Sequence, residues 1–346
     1  MPHSPLRLTL DGDALVSNWR WLDSRSGEAA CGAAVKADGY GLGAAQVARR
    51  LAKAGCSDFF VATWAEAEPL LGSLGGASLS VLHGIAGEDV AAAAASPARP
   101  VLNTPRQVAL WKEAAPGRPC DVMVDTGIGR LGLSPEEASS GLLDGLAIET
   151  LMSHLARADE ESAMNARQLA TFTAVAKEVP ARRLSLANSA GICLGAGYAF
   201  GLTRPGLALY GGVPRGEAQG RVRQVARIEA QVVQRKRIAA GSSVGYGATF
   251  VADGERELAI LNIGYADGYL RGFSGTGRAR FEGAALPVAG RVSMDLTAVL
   301  VDQAPHLAEG DWVELDYDLP AAAAQSGLSQ YELLTTLGRR HARIWR

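Results

Sequence analysis

The sequence predicts an α/β fold: a (β/α)8 barrel of the TIM type followed by a mostly β C-terminal domain. Three observations carry this expectation. Strand-like and helix-like segments alternate through the first two thirds of the 346 residues, and eight such strands can be counted. After about Arg221 the texture changes to short strands separated by turn residues. Hydrophobic residues make up 48% of the chain, enough to fill the cores of a barrel and a second domain. A doubly wound open sheet is the alternative, but no Rossmann glycine fingerprint stands convincingly after the first strand.

The elements follow in order. Residues 30–36 read as a strand, and Ala44 to Ala54 has helical spacing that stops at Gly55. Strands are expected at 59–62, 79–82 and 99–102, with helices at 64–71 and 88–95 between them. Thr104 fits a helix cap and Pro105 the first turn of a helix running to Ala114. A strand at 121–124 precedes a helix opened by Ser134-Pro135-Glu136-Glu137; a strand at 148–153 precedes a long helix at 160–179. Strands at 184–187 and 207–210 complete the eight. In the second domain, apolar residues near every second position predict strands at 226–238, 257–263, 277–281, 286–292, 296–301 and 311–315. Ser329 with Glu332 three residues on opens a terminal helix. The expected domains are residues 1–221 and 222–346, with the N-terminal strand near Thr9 able to pair with the second domain.

The formal net charge of −2, with no basic stripe and no block of like charge, argues against nucleic acid as a partner and for a small molecule. No apolar run approaches a membrane span, and residues 1–7 lack the charged-then-apolar layout of a signal peptide, so a cytoplasmic protein that does not engage a membrane is expected. Cys31, Cys56, Cys120 and Cys193 are widely separated, which predicts buried free thiols rather than a disulfide or zinc framework. The five histidines show no ligand spacing, and no metal is expected.

The most informative stretch is Ala33-Ala34-Val35-Lys36-Ala37-Asp38-Gly39-Tyr40-Gly41-Leu42-Gly43. A lysine at the mouth of a buried strand either reaches solvent or does chemistry. Desolvation lowers a lysine's pKa, and a neutral amine can condense with an aldehyde. The glycines allow close backbone approach to a bound group, and Tyr40 adds a hydroxyl. Asn188-Ser189-Ala190-Gly191 offers a hydroxyl and backbone amides at a helix start, which suits an anion and equally an ordinary cap. A surface ion pair at Arg204, a satisfied core histidine at His154 and a core tyrosine at Tyr246 are the plain alternatives for those residues.

Taken together, these segments resemble the alanine racemase family along nearly the whole chain. The resemblance implies that Lys36 holds pyridoxal 5′-phosphate covalently and handles one substrate α-proton, while Tyr246, in Gly245-Tyr246-Gly247, handles the other. It places Arg204 against the cofactor's pyridine nitrogen, where an arginine cannot protonate the ring, and His154 beside the cofactor, bonded to Arg204. Positive charge from Arg204 and His154 would favour ionisation of the Tyr246 phenol. It assigns the cofactor phosphate to Ser189, Tyr40 and the backbone of Gly206. Arg130, in Asp125-Thr126-Gly127-Ile128-Gly129-Arg130, would hold the cofactor phenolate oxygen and lie near the substrate carboxylate. Tyr265, Met294 and Asp295 would line a narrow entrance that admits small substrates. In the family the second-domain residues reach the other subunit's site, which implies a homodimer with shared active sites and alanine as substrate.

This sequence departs from the family pattern in three places. Many relatives carry a lysine, often carbamylated, where Met123 stands, so Arg130 must be positioned some other way. Ser293 stands where some relatives have cysteine. Arg339 or His341 occupies the place of a phosphate-contacting tyrosine. A non-enzymatic barrel that binds the same cofactor lacks a second domain. Barrel-type decarboxylases put an acid on the pyridine nitrogen. A racemase preferring serine or another small amino acid stays open.

Overall fold

A computed structural model describes residues 4–346, so part of the N-terminal stretch read above for a leader lies outside the described residues. The chain forms two compact units. One is Leu15–Arg223; the other joins the chain through Ala14 to Gln224–Arg346.

In the first unit, seven parallel strands follow in chain order: Ala33–Ala34, Asp58–Val61, Ser78–Val81, Arg99–Leu102, Pro119–Met123, Ala147–Met152 and Arg183–Ser185. Each register advances in one direction, as in Phe59 opposite Ala33 and Leu79 opposite Phe59. The eighth strand is Leu202–Thr203, which pairs with Ala30–Cys31. Backbone bonds from Gly201 to Leu184 and from Arg204 to Ala187 tie it to the seventh strand. Bonds from Gly32 to Thr203 and from Ala34 to Pro205 tie it to the first, so the ring closes. The expected strand at 207–210 is a 3₁₀ turn instead. A four-residue apolar run fits either form. Pro205 has no N–H to extend a ladder. Burial of Leu207, Ala208, Leu209 and Tyr210 explains the apolar pattern without a strand.

Side chains alternate along the strands. Cys120, Val122 and Val124 pack outward with Val108 and Trp111 of the helix Pro105–Ala114. The alternate residue, Asp121, is fully buried and faces the other way. It accepts a hydrogen bond from Ser80 Oγ at 2.6 Å and pairs with Arg99 Nε at 3.3 Å. Barrel interiors usually hold branched apolar residues; this one carries charge. Nearby, Arg183 pairs with Asp58. The four cysteines are buried free thiols.

In the second unit, the long strand Ala226–Ile238 organises an eight-stranded sheet. Its first half pairs with Leu6–Leu10 and Trp312–Leu315; its second half pairs with Arg256–Leu261. A register shift between Val232 and Gln234 lies inside this second ladder, just past the change of partner at Gln231. Leu6–Leu10 also lies parallel to Ala342–Trp345. The strand expected at 286–292 is shorter and earlier, Ala284–Pro287, because Gly290 turns the chain at φ +75°. Ser329 and Glu332 form a reciprocal cap on Gln330–Thr335.

Candidate active site

Lys36 directly follows the strand Ala33–Ala34, and the backbone after it winds left-handed. Ala37, Asp38, Gly39 and Tyr40 have φ between +53° and +63°. Only glycine adopts this region without strain; each other residue costs about 1–2 kcal/mol. The turn is held by bonds from Gly39 N–H to Val35 and from Gly41 N–H to Ala37, both 2.8 Å. Asp38 Oδ1 accepts the Ala44 N–H at 2.9 Å, and Glu66 Oε1 accepts the Ala37 N–H at 2.8 Å.

Tyr40 is buried and stacks on Tyr210 with centroids 4.6 Å apart, while the Tyr210 hydroxyl donates to the Ala34 carbonyl at 2.7 Å. Ser189 Oγ accepts the N–H groups of Gly206 (2.9 Å) and Ala208 (3.2 Å). A Cβ at position 206 would lie 2.2 Å from the Tyr40 hydroxyl oxygen. Three segments distant in sequence thus bring two hydroxyls and a bare glycine backbone together. That donor set, with no carboxylate in it, fits a phosphate group.

Arg204 is almost fully buried. Its guanidinium donates to Ser185 Oγ and the Ser153 carbonyl rather than to the His154 ring, which corrects the expected His154–Arg204 bond. The imidazole Nε2 instead lies 3.5 Å from Asn188 Nδ2. Burial pulls Arg204 down to about 10, against the opposing charge of Asp121, so it stays cationic at neutral pH.

Burial first, then the charges of Arg204, Arg130 and Lys36, push His154 down to about 3. The imidazole is therefore neutral at pH 7. The expectation that it adds positive charge toward a phenol fails, because burial first, and the charges of Arg204, Arg130 and Lys36 second, keep the ring neutral. Burial first and Arg130 second lower Lys36 below its ordinary value; Glu66 opposes and Arg204 adds to the lowering. The structure thus brings Lys36, Arg130, His154 and Arg204 into one electrostatic cluster at the C-terminal ends of barrel strands, where barrel enzymes carry their chemistry.

Arg130 is positioned without a lysine at 123. Asp125 Oδ1 accepts the N–H groups of Gly127, Ile128 and Gly129, and Oδ2 accepts that of Arg130 at 2.9 Å. Burial alone would raise the Asp125 pKa, but these backbone bonds hold it below the usual carboxylate range. Met123 is buried beneath the loop. Gln168, which the sequence did not single out, donates to Thr126 Oγ1 and the His154 carbonyl, joining the two loops.

In the second unit, Tyr246 is 68% exposed and Met294 54%. Tyr265 lies in a short turn whose Gly264 N–H is capped by Asp267 at 3.0 Å. Arg340 joins that Asp267 to Asp295 with two 2.7 Å bonds. His341 is buried and its Nε2 faces the Asp267 carbonyl at 2.9 Å, which commits the ring to its own unit. Arg339 is exposed.

Comparison with known proteins bears on the family and the fold. Residues 10–214 match the family described as "Alanine racemase, N-terminal domain", and residues 225–345 match "Alanine racemase, C-terminal domain". The chain is 43% identical to an alanine racemase of Acidiphilium cryptum over 97% of this chain and 98% of that one. It is 41% identical to a protein of Agrobacterium fabrum named "Alanine racemase, catabolic" (98% and 91% covered) and 40% identical to one named "Alanine racemase, biosynthetic" from the same organism (98% and 93%). The crystal structure of an alanine racemase from Bartonella henselae with covalently bound pyridoxal phosphate superposes with a TM-score of 0.93, at 36% identity and covering both chains fully.

Proposed function

The chain belongs to the alanine racemase family, and from that premise we propose that it interconverts L- and D-alanine with pyridoxal 5′-phosphate, using Lys36 and Tyr246 as two proton carriers. The observation that carries the proposal is the cluster of Lys36, Arg130, His154 and Arg204 beside the hydroxyls of Tyr40 and Ser189.

The cofactor, when bound, withdraws electrons from the substrate α-carbon and so acidifies its proton. Lys36 would hold it, and Ser189, Tyr40 and the Gly206 backbone would take its phosphate. A guanidinium at Arg204 keeps its own protons and leaves the pyridine nitrogen unprotonated, which favours returning a proton to the α-carbon over other fates. Arg130 would orient the cofactor's phenolate oxygen and the substrate carboxylate.

Inversion requires one carrier on each face of the α-carbon. The Lys36 amine, whose pKa is lowered by burial and Arg130, takes or returns a proton at Nζ. The Tyr246 hydroxyl serves the opposite face, with Arg204 as the nearby cation on this reading. The exposure of Tyr246, Met294 and Val251 (58%) supports a homodimer in which these side chains are covered by a second copy. Tyr265, Met294 and Asp295 would then narrow the entrance and select a small side chain.

No helix among the described residues is long and apolar enough to cross a membrane. The proposal places the enzyme in the cytoplasm, with its D-alanine supplying cell-wall peptidoglycan. Incubation with L-alanine followed by chiral analysis tests the activity: D-alanine should accumulate toward an equal mixture, and none forming would overturn the reading. A panel of amino acids should show alanine turned over fastest; serine ahead of alanine would reassign the substrate. Rescue of a D-alanine auxotroph tests the supply role.

A further inference from the structure

Glu66 lies outside every motif that identifies the site, yet it touches the lysine turn directly. It sits on the short helix Trp64–Ala67, capped by Thr63. Its two carboxylate oxygens are divided between two backbone segments. Oε1 accepts the N–H of Ala37, the residue after Lys36, at 2.8 Å. Oε2 accepts the N–H of Ala62, just past the neighbouring strand Asp58–Val61, at 2.7 Å. That strand is the register partner of the lysine strand, with Phe60 opposite Ala34. One side chain thus staples the ends of two adjacent barrel strands at the start of a left-handed turn.

We propose that Glu66 is a positioning residue for Lys36: its carboxylate clamps the Ala37 and Ala62 amides so that the lysine leaves its strand at a fixed angle, and it sets an anion against the lysine turn. The proposal rests on the reading of Lys36 as the cofactor-holding lysine. The groups acting on Lys36 come from several elements. Arg130 follows the strand Pro119–Met123, Arg204 follows Leu202–Thr203, and both oppose the ammonium form; Glu66 favours it. His154, after Ala147–Met152, faces the same cluster and is neutral. Asp38 and Tyr40 lie in the lysine's own turn, where Asp38 is committed to Ala44. Among the described residues, Glu66 is therefore the one acid that acts on both the backbone and the charge of Lys36. Glutamine would keep the shape but offer a single acceptor oxygen, leaving one of the two amides against an NH₂ group.

The test uses full-length protein freed of cofactor and reloaded with pyridoxal 5′-phosphate across a pH series. Uptake is read by visible absorbance and by the mass of the borohydride-reduced Lys36 peptide. Glu66→Gln should lower the midpoint of the pH profile by about half a unit, because the amine loses its stabilising anion. Its limiting uptake rate should fall about tenfold, because the amine is no longer aimed. Glu66→Asp keeps the charge but cannot span both amides, so its midpoint should hold while the limiting rate falls. Glu68→Gln, exposed two residues on, should match the parent in both. A midpoint and limiting rate equal to the parent's in Glu66→Gln overturn the proposal, and if that variant does not fold, an unchanged limiting rate in Glu66→Asp does so. Failure of the parent to load on Lys36 would instead overturn the cofactor assignment itself.

Discussion

The Cα of Gly206 packs so closely on the Tyr40 hydroxyl that a methyl group there would stand 2.2 Å from the tyrosine oxygen. The contact joins the lysine turn to the segment after the eighth barrel strand. It also sets the spacing of the two groups assigned to the cofactor phosphate.

Gly206→Ala should therefore push Tyr40 off its stack on Tyr210 and loosen the phosphate cradle. We expect cofactor affinity to fall about tenfold or more, roughly 1.4 kcal/mol. Titration of the cofactor-free variant with pyridoxal 5′-phosphate measures it, and unchanged affinity would remove the cradle from its assigned role.

The proposed homodimer with shared active sites has a simple consequence for mixtures. Lys36→Ala and Tyr246→Phe should each be nearly inactive alone. Unfolded together and refolded as equal parts, half of the dimers are hybrids, and each hybrid pairs one doubly altered site with one intact site. Activity should return to about a quarter of the parent's. A mixture as inactive as its components would mean that both carriers come from one chain.

Asp125 gathers four backbone N–H groups under Arg130. Asparagine has one acceptor oxygen and brings donors into a ring of donors. Asp125→Asn should raise KM for L-alanine about tenfold by freeing the Arg130 loop, while kcat changes less. Steady-state kinetics separates the two; an unaltered KM would show that Arg130 is held by something else.

His154 links site chemistry to stability. Its folded pKa of about 3 lies below the ordinary value near 6.5. Between those values the unfolded chain binds a proton that the folded chain refuses, so stability falls as pH drops below about 6.5. Denaturant midpoints at pH 7.5 and pH 5 should show this loss in the parent and a smaller loss in His154→Asn. Equal losses in both would mean that the imidazole titrates normally in the folded protein.

Much of the fold could be read from the residue pattern, because strand alternation and helix caps are local. The helices Ala44–Ala54 and Pro105–Ala114 and the cap at Ser329 are set by neighbours three or four residues apart. The eighth strand is not legible locally, because an apolar run such as Leu207–Tyr210 looks alike whether buried as strand or as 3₁₀ turn; only the ring of backbone bonds to Leu184, Ala187, Gly32 and Ala34 picks out Leu202–Thr203. The charged barrel interior at Asp121 and Arg99 was invisible for the same reason, since the two residues lie 22 positions apart.

By itself, the sequence determined which reactive groups this protein has and the strand-and-helix order that carries them: a strand-end lysine, an arginine before Pro-Gly, a tyrosine between glycines. Those are properties of residue type and short spacing. Tertiary structure alone decided how these groups behave. The neutrality of His154, the lowered pKa of Lys36, the clamp from Glu66 and the anchoring of Arg130 by Asp125 all arise from charges, desolvation and hydrogen bonds that exist only once distant segments meet.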